Sequence, residues 1–155
     1  YALLQAVAHG WQAVLMAPTE ILAIQHARTV TRDLQNSRVR ITLLTGSLAA
    51  AERSERLAQI AAGEVELVIG THAVAQEGVE FARLGLVIID EQHKFGVQQR
   101  AGLKLAGLDP HYLVMTATPI PRTVAMTLFV DLDTSTLRQG PHKQTIKTYC
   151  QTLCP

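Results

Sequence analysis

The chain has 155 residues, 48% hydrophobic and 17% charged, with a net charge of +1. That length and apolar content suit one domain with a sizeable core and exclude a disordered chain. The charge balance excludes a strongly electrostatic binder at the whole-chain level, though not a local patch.

Tyr1 to His9 reads as the end of an apolar helix, stopped by Gly10 as its C-terminal cap. It begins mid-helix, without an initiator Met and without a basic leader, so a fragment of a longer protein with no signal peptide is expected. Gln12 to Met16 is a short apolar strand. Pro18 and Thr19 follow, then a helix expected from Glu20 to Asn36. Its Ile21, Leu22, Ile24, Ala27, Val30 and Leu34 largely keep helical spacing. Val39 to Leu44 is the next strand, ended by Thr45-Gly46-Ser47. A helix from Ala50 to Ala62 closes on Gly63, and Glu64 to Ile69 forms a third strand, ended by Gly70-Thr71-His72. The aliphatic run Leu86-Val87-Ile88-Ile89 reads as a core strand entering Asp90-Glu91-Gln92-His93. A polar helix over Val97–Leu105, a strand over His111–Met115 and a helix over Thr123–Phe129 complete the pattern. From Asp131 the chain reads as a short strand and a linker. Its Cys150 and Cys154 give no disulfide framework and fit a reducing, cytoplasmic setting. No apolar run approaches the ~18 residues that a membrane span needs.

Strand, crossover helix, strand, repeated, specifies an α/β fold: a parallel sheet with helices on both faces. Right-handed crossovers bring the strand-end turns to one edge, where ligands of open α/β sheets bind. That edge would gather Thr19, Thr45, Gly46, Thr71, His72, Asp90, Glu91, His93, Thr116 and Thr118.

The acidic pair carries the sharpest chemistry. An Asp at a strand end can hold Mg²⁺ through water, and a neighbouring Glu can orient or deprotonate an attacking water. Taken alone, such a pair also reads as a solvated turn. Thr19 stands at a helix N-cap, and the same N-terminus favours an anion such as a nucleic-acid phosphate. Thr45-Gly46-Ser47 and Gly70-Thr71-His72 are small hydroxyl-bearing turns whose backbone donors can approach a phosphate closely. Arg28, Arg32, Arg38 and Arg40 form a local basic group that reads first as a solvated face. His26, His72 and His93 lack the spacing of a zinc helix. His93 is better read as a polar coupler bonding Thr116 or Thr118.

Together these segments resemble the ordered motifs of superfamily 2 helicases. Asp90-Glu91-Gln92-His93 is similar to motif II in its DExH form, and Thr116-Ala117-Thr118 to motif III. Ala17-Pro18-Thr19-Glu20 is similar to motif Ia, and Thr45-Gly46-Ser47 and Gly70-Thr71-His72 to its companion DNA-contacting motifs. The run Asp90 to Arg100, the run Met115 to Thr123 and Asp131-Leu132-Asp133 resemble the RecG family of branched-DNA helicases. That family usually has Arg where this chain has Lys94, which keeps the charge but not the planar fork. The transcription-repair coupling translocases share Phe-Gly-Val and Thr-Pro-Ile-Pro-Arg but usually read Asp-Glu-Glu in motif II, so Gln92 favours RecG. A non-enzymatic DNA-binding module, in which Asp90 and Glu91 merely cap a helix, is the reading from another class.

The resemblance implies a partial RecA-like ATP-binding lobe over residues 1–130, with 131–155 leading toward a second motor lobe. It implies ATP and Mg²⁺ as cofactors, with Asp90 holding the metal through water and Glu91 positioning the hydrolytic water. Gln92, His93, Thr116, Ala117 and Thr118 would couple the nucleotide to the DNA side. Pro18, Thr19, Glu20, Thr45, Gly46, Gly70, Thr71 and His72 would lie at branched or duplex DNA. The second lobe would supply an arginine finger, and a wedge domain would engage the branch point. The sequence holds no G-x-x-x-x-G-K-[ST] loop. In the family that loop's strand lies inside the sheet, so a gap with unpaired backbone groups and no ATPase from the isolated chain are expected.

Overall fold

All five side chains of β1 (Gln12–Met16) are buried, as expected for a strand with neighbours on both sides and a layer on each face. In the computed structural model, which describes residues 1–76, 78–90, 110–116 and 135, β1 is the middle of a five-stranded parallel sheet. The other strands are β2 (Ile41–Leu44), β3 (Leu67–Gly70), β4 (Leu84–Asp90) and β5 (His111–Met115), in the order β2-β3-β1-β4-β5. The described residues other than Ser135 lie in one compact unit, Tyr1–Pro119.

Strand alternation sorts the apolar residues into two layers. Val14, Met16, Val68, Val87 and Ile89 face one side, where Leu57 and Ile60 of α3 (Ala50–Ala61) and Val74 of a 3-10 turn (His72–Ala75) cover them. Ala13, Leu15, Leu67, Ile69 and Ile88 face the other, under α1 (Ala2–Ala8) and the Ala27 and Val30 side of α2 (Glu20–Asp33). Helices therefore cover both faces, as the sequence pattern implies. Beyond that cover, Leu113 and Met115 of β5 stay about 40% exposed.

Several boundaries differ from the sequence reading. α2 ends at Asp33 rather than Asn36, because the chain turns at Leu34, whose carbonyl accepts the Ser37 N–H at 2.8 Å. β2 and β3 begin later than Val39 and Glu64. The buried Gln12 side chain donates to the carbonyls of Ile60 and Val65 at 3.0 and 2.8 Å, so the chain leaving α3 is held as a turn before β3 starts. β4 begins earlier, at Leu84, and Gly85 allows it: a Cβ there would lie 2.7 Å from that of Trp11. The expected gap is absent from the described strands. β4 pairs directly with β5 from Leu86↔His111 to Asp90↔Met115, so its ladder is continuous. The expected helices over 97–105 and 123–129 and the strand after 131 lie outside the described residues. No described helix is long and apolar enough to cross a membrane.

Candidate nucleotide and nucleic-acid site

The parallel register sets the strand ends level. Leu44 pairs with Gly70, Gly70 with Met16, Met16 with Ile89, and Ile89 with Val114. The segments that follow, Ala17–Glu20, Thr45–Ser47, Thr71–His72, Asp90 and Thr116, therefore stand on one edge of the sheet. Glu91, Gln92, His93, Ala117 and Thr118 lie outside the described residues, and so does the expected bond from His93 to Thr116 or Thr118.

Pro18 and Thr19 carry the chain from β1 into α2. Thr19 is the extended N-cap, its hydroxyl accepting the Leu22 N–H at 3.4 Å. Glu20 sits in the first turn, where a carboxylate is favoured by the helix dipole. It also reaches sideways: its Oε1 accepts the Ser47 backbone N–H at 3.0 Å. The Thr45 and Ser47 hydroxyls meet at 3.2 Å, which tightens that turn around the exposed Gly46.

Gly70 answers a different demand. A Cβ there would lie 2.1 Å from the Leu44 carbonyl oxygen and 2.5 Å from Val74 Cγ2, so β2 and the 3-10 turn close over bare backbone. The next residue donates its N–H to that same Leu44 oxygen at 3.3 Å. The Thr71 hydroxyl accepts the Ala73 N–H at 3.5 Å and caps the 3-10 turn. Thr45 and Thr71 are each 3% exposed. Their hydroxyls shape the turns, while Thr19, Gly46, Ser47 and His72 face solvent.

Asp90 ends β4 with its side chain 24% exposed. Its Oδ2 lies 2.9 Å from Nε2 of His26, which reaches over from α2. An ionised carboxylate only accepts, so Nε2 carries the proton and donates. Sequence reasoning missed this contact. Its one local signal is that His26 lies three residues after the buried Ala23 and beside Ala27, on the helix face that packs inward. No cluster of three or more potential metal ligands occurs among the described residues. Mg²⁺ at nucleotide sites uses one or two carboxylates plus phosphates and water. Asp90 at the end of β4, engaged by His26 through one oxygen, fits that donor set.

The basic group does not assemble at this edge. Arg40 precedes β2, and its guanidinium bonds Glu66 at 3.0 Å, at the opposite end of the strands. Arg38 lies at that same end, lining a cleft with Trp11 and Arg83. Arg32 pairs with its neighbour Asp33 at 3.2 Å.

Residues 1–127 match the family model described as DEAD/DEAH box helicase. The chain is 56% identical over 140 residues to the ATP-dependent DNA helicase RecG of Streptococcus pneumoniae, covering 90% of this chain and 21% of that one. It is 51% identical over 155 residues to RecG of Mycobacterium bovis, with the same coverage. With RecG of Bacillus subtilis it shares 48% identity, covering 96% of this chain and 22% of the relative. The chain thus spans about a fifth of the length of these relatives. Among solved structures, RecG bound to a three-way DNA junction superposes with a TM-score of 0.61 at 40% identity, over 78% of this chain and 16% of that one. The helicase MrfA bound to DNA shares the fold at a TM-score of 0.63 and 18% identity, over 81% of this chain and 21% of that one. With the family model spanning the strands that carry the site, the chain belongs to the DEAD/DEAH box helicase family.

Proposed function

We propose that this chain is most of the first RecA-like motor lobe of an ATP-dependent DNA helicase that remodels branched DNA such as replication forks and Holliday junctions. The observation that carries the reading is the common edge formed by the strand ends, where Asp90 and the turns at 18–20, 45–47 and 70–72 stand level. The similarity to RecG helicases supports the choice of branched DNA as substrate. In this reading residues 1–130 are the partial ATP-binding domain, and 131–155 lead toward the second motor lobe. The protein works in the cytoplasm.

Each residue then has a task. Asp90 holds the magnesium of bound ATP through water, and Glu91 orients the attacking water and takes its proton. Magnesium supplies neutralisation of charge developing on the phosphates. Gln92, His93, Thr116, Ala117 and Thr118 relay the nucleotide state across the strand ends. Thr19, Gly46, Ser47 and His72 offer exposed donors to the DNA backbone, while Pro18, Glu20, Thr45, Gly70 and Thr71 hold those turns in shape. Phosphoryl transfer depends on a phosphate cradle and charge stabilisation. The sequence contains no phosphate-loop motif, so the chain by itself is expected to lack meaningful ATPase.

The test is ATP hydrolysis by the full-length protein with and without forked DNA, beside a Glu91→Gln variant. The expected result is DNA-stimulated turnover that disappears in the variant. Turnover unchanged by the substitution would remove the acidic pair from the catalytic centre and overturn the reading.

A further inference from the structure

We propose that His26 is a positioning residue that holds the Asp90 carboxylate in the orientation required to bind magnesium. This rests on the reading of Asp90 given above. The two side chains come from elements 64 residues apart and meet at 2.9 Å, with exposures of 32% and 24%. The contact is therefore neither fully solvated nor the chance meeting of two long surface chains. An imidazole N–H on Oδ2 restrains rotation of the carboxylate and would leave Oδ1 for a metal-bound water. Hydrogen-bonded outer partners of a metal site orient the groups that bind the ion, and losing one typically weakens metal binding about 10–100-fold.

His26 has a fixed base from which to act. Its helix is capped by Thr19 at one end of the same two turns. It is also tied sideways by the Glu20 carboxylate to the Ser47 N–H at 3.0 Å. From Glu20 to His26 is roughly 9 Å along the axis at the α-helical rise per residue. The buried Ala23 and the packed Ala27 hold the helix against the sheet on either side of His26. The imidazole thus projects from an anchored segment. The position of Asp90 is set by α2 as well as by β4.

The experiment uses the full-length protein and a fluorescent ADP analogue, titrated with Mg²⁺ in the absence of DNA and turnover. Variants are His26→Ala, His26→Gln and Asp90→Asn, with a melting temperature taken for each without metal. His26→Ala is expected to raise the Mg²⁺ concentration for half-maximal nucleotide binding about 10-fold or more. His26→Gln, whose amide nitrogen can donate from nearly the place of Nε2, should largely restore it. An unmoved midpoint in His26→Ala overturns the proposal, even if its melting temperature falls. Equal defects in the Ala and Gln variants also overturn it, because a merely structural role would not be rescued by the donor. Asp90→Asn separates the two layers of the argument. If it shifts the midpoint and His26→Ala does not, the positioning role alone fails. If it leaves the midpoint unmoved, Asp90 is not the magnesium carboxylate and the underlying functional reading fails with the proposal.

Discussion

Substituting Gly70 with alanine probes the closest backbone approach on the candidate edge. The added Cβ would lie 2.1 Å from the Leu44 carbonyl oxygen, roughly 1.3 Å inside ordinary contact, and 2.5 Å from Val74 Cγ2. Val74 can give a little by rotation, but the Leu44 oxygen belongs to the paired strand β2 and cannot. Relief requires β2 and β3 to part locally, and that threatens the 3.3 Å bond from Thr71 N–H to the same oxygen. Overpacking a buried site costs about 1–3 kcal/mol. A lost backbone hydrogen bond adds about 0.5–1.5 kcal/mol. The sum is about 3 kcal/mol. At ~3 °C per kcal/mol for a chain of this size, the melting temperature should fall by roughly 9 °C. Urea unfolding of the purified chain measures the change as a lower midpoint with an unchanged slope. Gly46→Ala is the matched control, because its Cβ would come no nearer than 3.5 Å to Glu20 Oε1. That variant should stay within about 0.5 kcal/mol of the parent. Equal midpoints for the two variants would refute the reasoning.

Three further outcomes are expected. Gln12→Leu leaves the Val65 carbonyl and the Arg83 N–H without their side-chain partner, while the Ile60 carbonyl keeps the Gly63 N–H at 3.0 Å, and should cost roughly 2 kcal/mol or more by urea unfolding; a loss under about 1 kcal/mol would mean water reaches these groups. Burial pushes the Glu66 carboxyl up, but the Arg40 side chain, backbone N–H and charge outweigh it and hold the group below its ordinary 4.5. A carboxyl lowered in the folded state stabilises above the unfolded value, and that stability is lost as pH falls through the lowered one. Glu66→Gln should therefore flatten the loss of melting temperature below about pH 4.5, and parallel acid limbs in parent and variant would contradict the assignment. Glu20→Ala removes the acceptor of the Ser47 N–H, so hydrogen exchange at Ser47 should speed up while strand amides of β1 keep their protection; unchanged exchange at Ser47 would show that the turn holds itself.

Much of the architecture was legible residue by residue. The bounds of β1 and β5 follow from apolar runs closed by turn residues, and α3 is legible to within one residue from the stop at Gly63. The start of β3 was not legible. It depends on the Gln12 side chain, which occupies the carbonyl of Val65 from 53 positions away. The early start of β4 depends likewise on the bare backbone of Gly85 lying against Trp11. In both cases a local pattern was overruled by a partner that the local sequence does not contain.

The candidate site divides the same way. Its residue types and their order along the chain come from the sequence alone, because strand-end turns announce themselves through Gly, Thr and Ser after aliphatic runs. Their gathering at one edge follows from the crossover pattern, whereas the central place of β1 between β3 and β4 and the meeting of His26 with Asp90 were decided by tertiary structure. Local composition acts through neighbours a few positions apart, whereas strand order and cross-element contacts are set by which distant apolar faces bury each other best.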